Sequence, residues 1–133
     1  MTKPNRILIL SVLAVALAVA PAFAQTAGKV DLSGTWTGYT ILGDGTRAEF
    51  SLILEKAGEG YAGKINDDAG LMPVMLLKNV SFKDGLLHFE IDYPQDAGTI
   101  LVTVELKHNA DTLKGQWTDA NGESNIVELQ RKK

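Results

Sequence analysis

The sequence predicts an all-β protein: an eight-stranded antiparallel up-and-down β-barrel behind an export signal. Three observations carry that prediction. After residue 30 the chain falls into short runs in which apolar and polar residues alternate, the period of a strand with one dry face. Clusters of Gly, Asp and Asn separate the runs, and no stretch repeats apolar residues at helical spacing. The connections are all short, so runs adjacent in sequence should pair as antiparallel neighbours. Strands with one dry face each can bury it by closing on themselves, which also removes exposed edges. A two-sheet sandwich satisfies the same pattern.

The first element is a leader. Lys3 and Arg6 precede an apolar run from Ile7 to Ala20, and Pro21-Ala22-Phe23-Ala24 supplies small residues at the spacing of a cleavage site. This is the layout of a secretory signal peptide over residues 1–24, cut after Ala24. The alternative, an uncleaved anchor, needs roughly 20 apolar residues, more than the run provides. Residues 25–30 are expected to be a disordered tail before a barrel domain over 31–131. The location is then secreted or periplasmic, with no stable membrane span in the mature chain. Loss of the leader removes two of the 13 Lys+Arg and none of the 16 Asp+Glu, so the net charge moves from −3 to −5. That balance argues against a nucleic-acid partner, which calls for a basic face, and suits a monomer or weak dimer. The chain has no cysteine, so neither a disulfide nor a lipidated cysteine is in play.

The eight expected strands follow in order: Gly34–Ile41, Thr46–Glu55, Gly60–Asn66, Val74–Phe82, Leu86–Tyr93, Thr99–Lys107, Thr112–Thr118 and Glu123–Arg131. Gly43-Asp44-Gly45, Lys83-Asp84-Gly85 and Ala120-Asn121-Gly122 hold residues that tolerate positive φ, as tight turns require. Alternation assigns the inward face: Leu32, Trp36, Phe50, Leu52, Leu54, Tyr61, Ile65, Leu87, Phe89, Ile91, Tyr93, Val102, Val104, Leu106, Leu113, Trp117, Val127 and Leu129. The fourth run breaks the rule, because Lys78 shares parity with Val74, Leu76 and Val80. Either a bulge intervenes or the register there differs.

A shift of 52 residues superposes Leu52, Leu54, Gly63, Ile65, Asp67 and Gly70 on Val104, Leu106, Gly115, Trp117, Asp119 and Gly122. The first strand shares the pattern: Leu32-x-Gly34-x-Trp36 matches Tyr61-x-Gly63-x-Ile65 and Leu113-x-Gly115-x-Trp117. In a closed barrel, inward side chains converge, so Gly34, Gly63 and Gly115 are expected to clear space for Trp36, Trp117 and the facing aromatics. Glycine also lets a strand coil tightly at a corner.

Gly34-Thr35-Trp36 opening a small exported meander resembles the lipocalin and avidin group of barrels, the calycin type. That resemblance implies that Trp36 plugs the closed end and that Arg131, from the last strand, lies over its ring. Such a contact is worth about 0.5–2 kcal/mol. "LSGTWTG", "LMPVMLLKNVSFKDGLLHFEI" and "LKGQWTDANGE" also resemble a small barrel domain of exported bacterial proteins, found alone or ahead of an α/β-hydrolase domain. The resemblance spans Asp31 to Arg131 and implies a bacterial envelope or secreted protein. The hydrolase part is absent, so no activity carries over. Thr37-Gly38-Tyr39 and Leu42 lack the Asn and Ser with which avidin-type barrels hold biotin.

Catalytic chemistry finds little to work with. His88 is expected to face outward and His108 to sit in a turn, neither with a Ser or Cys beside it. "NDDAG" (Asn66 to Gly70) and "DANGE" (Asp119 to Glu123) faintly suggest calcium loops, but the repeat makes them equivalent turns. The expectation is therefore a non-enzymatic protein with no catalytic residue, metal or cofactor. The apolar interior is either a filled core or a cavity for a small hydrophobic or amphipathic ligand. In the second case Phe50, Tyr61, Phe89, Tyr93 and Trp117 line the cavity, and Leu71, Met72 and Met75 stand at its mouth. The mouth is expected among Leu42–Gly45, Asp67–Pro73, Pro94–Gly98 and Asp119–Gly122. "LMPVMLL", Leu71 to Leu77, has more apolar residues than one face can bury. It suits a lid or a surface for an envelope-protein partner, methionine being adaptable in such contacts.

Overall fold

Alternation along short runs yields nine strands in one antiparallel sheet in the computed structural model, which describes residues 30–133. They are β1 Gly34–Ile41, β2 Arg47–Ala57, β3 Gly60–Asp67, β4 Met75–Leu76, β5 Lys78–Lys83, β6 Leu86–Gln95, β7 Gly98–Asn109, β8 Thr112–Asp119 and β9 Ser124–Arg131. The order across the sheet is β4-β3-β2-β1-β9-β8-β7-β6-β5. First and last strands pair through Trp36↔Arg131 to Thr40↔Val127, so the sheet curls into a nearly closed barrel. Among the described residues there is no helix. The signal peptide and residues 25–29 of the expected tail lie outside the described residues.

The count differs from eight because the expected strand Val74–Phe82 is two strands. β4 pairs with β3 through Lys64↔Leu76 and Ile65↔Met75. β5 pairs with β6, with a register shift between Lys78 and Ser81. Asn79 takes φ 50° at that shift, a bulge in which an extra residue bends the strand. The Leu77 N–H donates to the Gly63 carbonyl at 3.0 Å. One stretch of chain thus serves β3 first and β6 next, and the two ends of the sheet meet there. The bulge also accounts for the parity of Lys78: its ammonium reaches Asp92 at 3.0 Å, while Val80 and Phe82 pack against the core.

Every buried apolar side chain belongs to the inward face that alternation assigned, with Trp36, Leu32, Leu52, Leu87, Leu106 and Leu113 fully enclosed. Phe50, Tyr61, Tyr93 and Trp117 are partly buried against that cluster. The strand glycines act differently from expectation. A Cβ at Gly63 would fall on the Ile53 carbonyl oxygen, at Gly115 on that of Glu105, and at Gly38 on that of Glu128. They admit the backbone of the neighbouring strand, not an aromatic ring. Gly34 has φ 125°, and a Cβ there would meet the Arg131 guanidinium at 3.4 Å.

Candidate functional site: an apolar cavity opposite a sealed end

The two ends of the barrel are built differently. At one end Trp36 is wholly enclosed, and its Nε1–H donates to the Leu32 carbonyl at 2.9 Å. The Arg131 guanidinium lies 4.3 Å from the ring centroid. Its Nη1 donates to the Ser33 carbonyl at 2.9 Å, and its Nε stands 3.7 Å from Asp111 Oδ1. The fork geometry of arginine lets one side chain cover a ring and tie down two chain segments.

Tyr61 belongs to this sealed end and not to a lumen. It lies near the start of β3, opposite Lys56; its hydroxyl accepts from the Leu32 N–H at 2.9 Å, and its ring meets Phe82 edge-on at 6.4 Å. His108 also differs from expectation. It lies in β7 rather than in a turn, and its ring makes edge contacts with Trp36 at 6.0 Å and Phe82 at 6.1 Å. His88 flanks the core on the outer face, its Nδ1 4.0 Å from Glu105. The signal for His108 was present in β7, whose alternation continues two residues beyond the expected boundary.

At the other end the interior is open. A cavity of about 470 Å³ is lined by Phe50, Ile65, Phe89, Ile91, Tyr93, Ile100, Val102 and Trp117, with Leu71, Met72 and Met75 to one side. Leu42, Gly43, Asp67, Ala69, Gln95, Asp119 and Glu123 bring it to the surface among the four connections expected there. The volume falls within the range of about 300–1,000 Å³ usual for small-molecule sites. Polar groups near it are largely engaged: the Trp117 Nε1–H donates to the Ile41 carbonyl at 3.0 Å, and the Thr40 hydroxyl to that of Ile126 at 2.7 Å.

The mouth loops are held by their own carboxylates. Asp67 accepts the N–H groups of Ala69, Leu71 and Met72 at 2.9–3.1 Å. Asp119, its counterpart in the repeat, accepts those of Asn121 and Glu123 at 2.9 and 3.0 Å. Asp44 accepts the Thr46 N–H at 2.9 Å, and this bond holds its carboxyl below the usual carboxylate range. Both apparent calcium loops are thus side-chain-capped turns. Among the described residues no three or more His, Cys, Asp or Glu are grouped to hold a metal. Burial, with the Asp67 and Asp44 carboxylates behind it, pushes the Tyr93 hydroxyl above its ordinary pKa.

Sealed at one end and hollow at the other, the molecule is a small, nearly closed antiparallel β-barrel. It is similar in fold to a redesigned beta barrel, with a TM-score of 0.57 and 21% identity over 77% of this chain and 92% of that one. No protein-family model matches the chain, and no curated protein does.

Proposed function

We propose that this protein is an exported, non-enzymatic β-barrel of lipocalin/avidin-like type that binds a small hydrophobic or amphipathic ligand in its lumen. The observation that carries the reading is the cavity of about 470 Å³ walled by Phe50, Phe89, Tyr93 and Trp117. A void of that size among apolar side chains forgoes their dispersion contacts unless something fills it. The interior offers few convergent polar groups of the kind catalysis needs, which supports binding over turnover. Leu71, Met72 and Met75 form one side of the entrance, placed to adapt to an occupant. The Gly34-Trp36-Arg131 arrangement supports the lipocalin-like reading, and the basic and apolar leader supports export from a bacterial cell. Extraction of the purified protein into organic solvent, followed by mass spectrometry, is expected to release an apolar compound. Absence of any such compound, together with failure of apolar dyes to bind saturably, would sink the reading.

A second reading rests on a different observation. Leu71, Val74 and Leu76 are 84%, 57% and 70% exposed, in the stretch where the chain changes partner strands. A structural module that docks an envelope protein through Leu71–Leu77 would use that surface. Replacing Val74 and Leu76, which do not line the cavity, by Ser would then abolish partner capture without altering dye binding.

A further inference from the structure

An apolar cavity selects an apolar body, and the charges at its mouth select the head group. Among the described residues that border the cavity, Arg47 is the one basic side chain, against Glu49, Asp67, Asp119 and Glu123. Arg47 and Glu49 offset each other outside: the guanidinium lies 3.9 Å from the Tyr39 ring centroid and 3.3 Å from Glu49, which leaves Asp67, Asp119 and Glu123. The four mouth connections add Asp44, Asp68 and Asp96 and contain no lysine or arginine. At the sealed end the chain places Lys56, Lys83, Lys107, Lys114 and Arg131 beside Glu55, Glu59, Asp84 and Asp111, so charge is mixed there, whereas the mouth connections carry acidic residues alone. Asp44, Asp67 and Asp119 are satisfied by neutral N–H groups, which fix their direction without cancelling their charge. Burial first, and then the Asp67 and Asp44 carboxylates, raise the Tyr93 hydroxyl at the cavity wall. Below the mouth, Trp117, Tyr93, Phe50 and Phe89 line the cavity and offer an apolar wall to the body of a ligand.

We propose that the cavity takes a cationic amphiphile: an apolar chain or ring system bearing an ammonium or amidinium group, with its body among the aromatic side chains and its charge between Asp67, Asp119 and Glu123. The proposal rests on the reading of the cavity as a ligand site and narrows it to one sign of charge. Field focusing by a low-dielectric wall strengthens such selection, and salt weakens it.

The test compares three probes with the same ten-carbon tail: decyltrimethylammonium, decanol and decanoate, each below its aggregation threshold at pH 8. Binding is followed by tryptophan emission and calorimetry at about 10 mM salt, where the Debye length is about 30 Å. Decyltrimethylammonium is expected to bind about tenfold more tightly than decanol and decanoate more weakly than either. Raising salt to about 0.5 M should narrow both gaps while leaving decanol unchanged. Glu123→Gln should cost the cation about threefold and decanol nothing. If that variant fails to fold, the salt dependence of the natural protein decides alone. Equal or tighter binding of decanol or decanoate would overturn the charge assignment and leave the cavity as a ligand site. No saturable binding by any of the three would overturn both.

Discussion

Trp36 and Trp117 occupy the same place in the same pattern, "LSGTW" and "LKGQW", yet one is sealed and the other borders a void. Trp36 lies at the end where β1 begins and β9 finishes, so Arg131 can fold over it and Tyr61, Phe82 and His108 can close around it. Trp117 comes late in β8, nearer the mouth, where the paired positions carry Val104 and Asn125, and it is only partly buried at the edge of the cavity. The comparison teaches that the shared glycine sets how closely the next strand approaches, whereas depth along the barrel sets whether the tryptophan becomes a plug or a wall.

The largest expected effect separates the two rings. Trp36→Ala should destabilise the protein by about 3–5 kcal/mol, as enclosed aromatic truncations do, measured by urea unfolding. A loss under about 1 kcal/mol would mean that Trp36 is not the plug. Next comes what the two patterns share. Gly115→Ala sets a Cβ against the Glu105 backbone and should cost about 1–3 kcal/mol, the usual range for overpacking; an unchanged unfolding midpoint would contradict the close approach. Trp117→Phe should cost under about 2 kcal/mol, because part of the ring already faces the cavity. Arg131→Met keeps the stem but loses the cation, and should cost about 0.5–2 kcal/mol.

The smallest effect concerns pH. The folded-state pKa of Tyr93 is raised above its ordinary value of 10.0, so its contribution to stability is full below the unfolded value and is lost as pH rises through the folded one. Tyr93→Phe should therefore soften the alkaline fall in unfolding midpoint above about pH 10. An unchanged alkaline profile would show that Tyr93 does not sense the mouth carboxylates or its burial.

The barrel's inward face was legible because each strand has one dry side, and alternation alone places Leu52, Phe89, Val104 and Leu129 inside. β1 is legible to the residue, since Gly34 and the Gly43-Asp44-Gly45 turn mark both ends. The split at Leu77 was visible only as the misplaced parity of Lys78: a bulge moves one residue out of register, and sequence pattern cannot say which. The close approaches at Gly63 and Gly115 were misassigned to aromatic clearance because neighbouring backbone leaves no trace in a local pattern. Tyr61 shares parity with the cavity-lining residues, but parity carries no information about depth, so its place at the sealed end was hidden. The acidic mouth lay in the loop composition, and the void, as a property of packing, did not.

In the proposed function the hollow end takes an apolar molecule beside Trp117 and away from Trp36. Titration with the uncharged dye N-phenyl-1-naphthylamine tests it most directly, run in parallel on the natural protein, Trp117→Phe and Trp36→Phe. Binding is expected to saturate at one dye per protein, with the tryptophan quench lost in Trp117→Phe and kept in Trp36→Phe, and to be blocked when Val102 and Val127, which line the cavity, are replaced by Phe. Unsaturable binding, or a quench that survives loss of Trp117 and filling of the lumen, would contradict it.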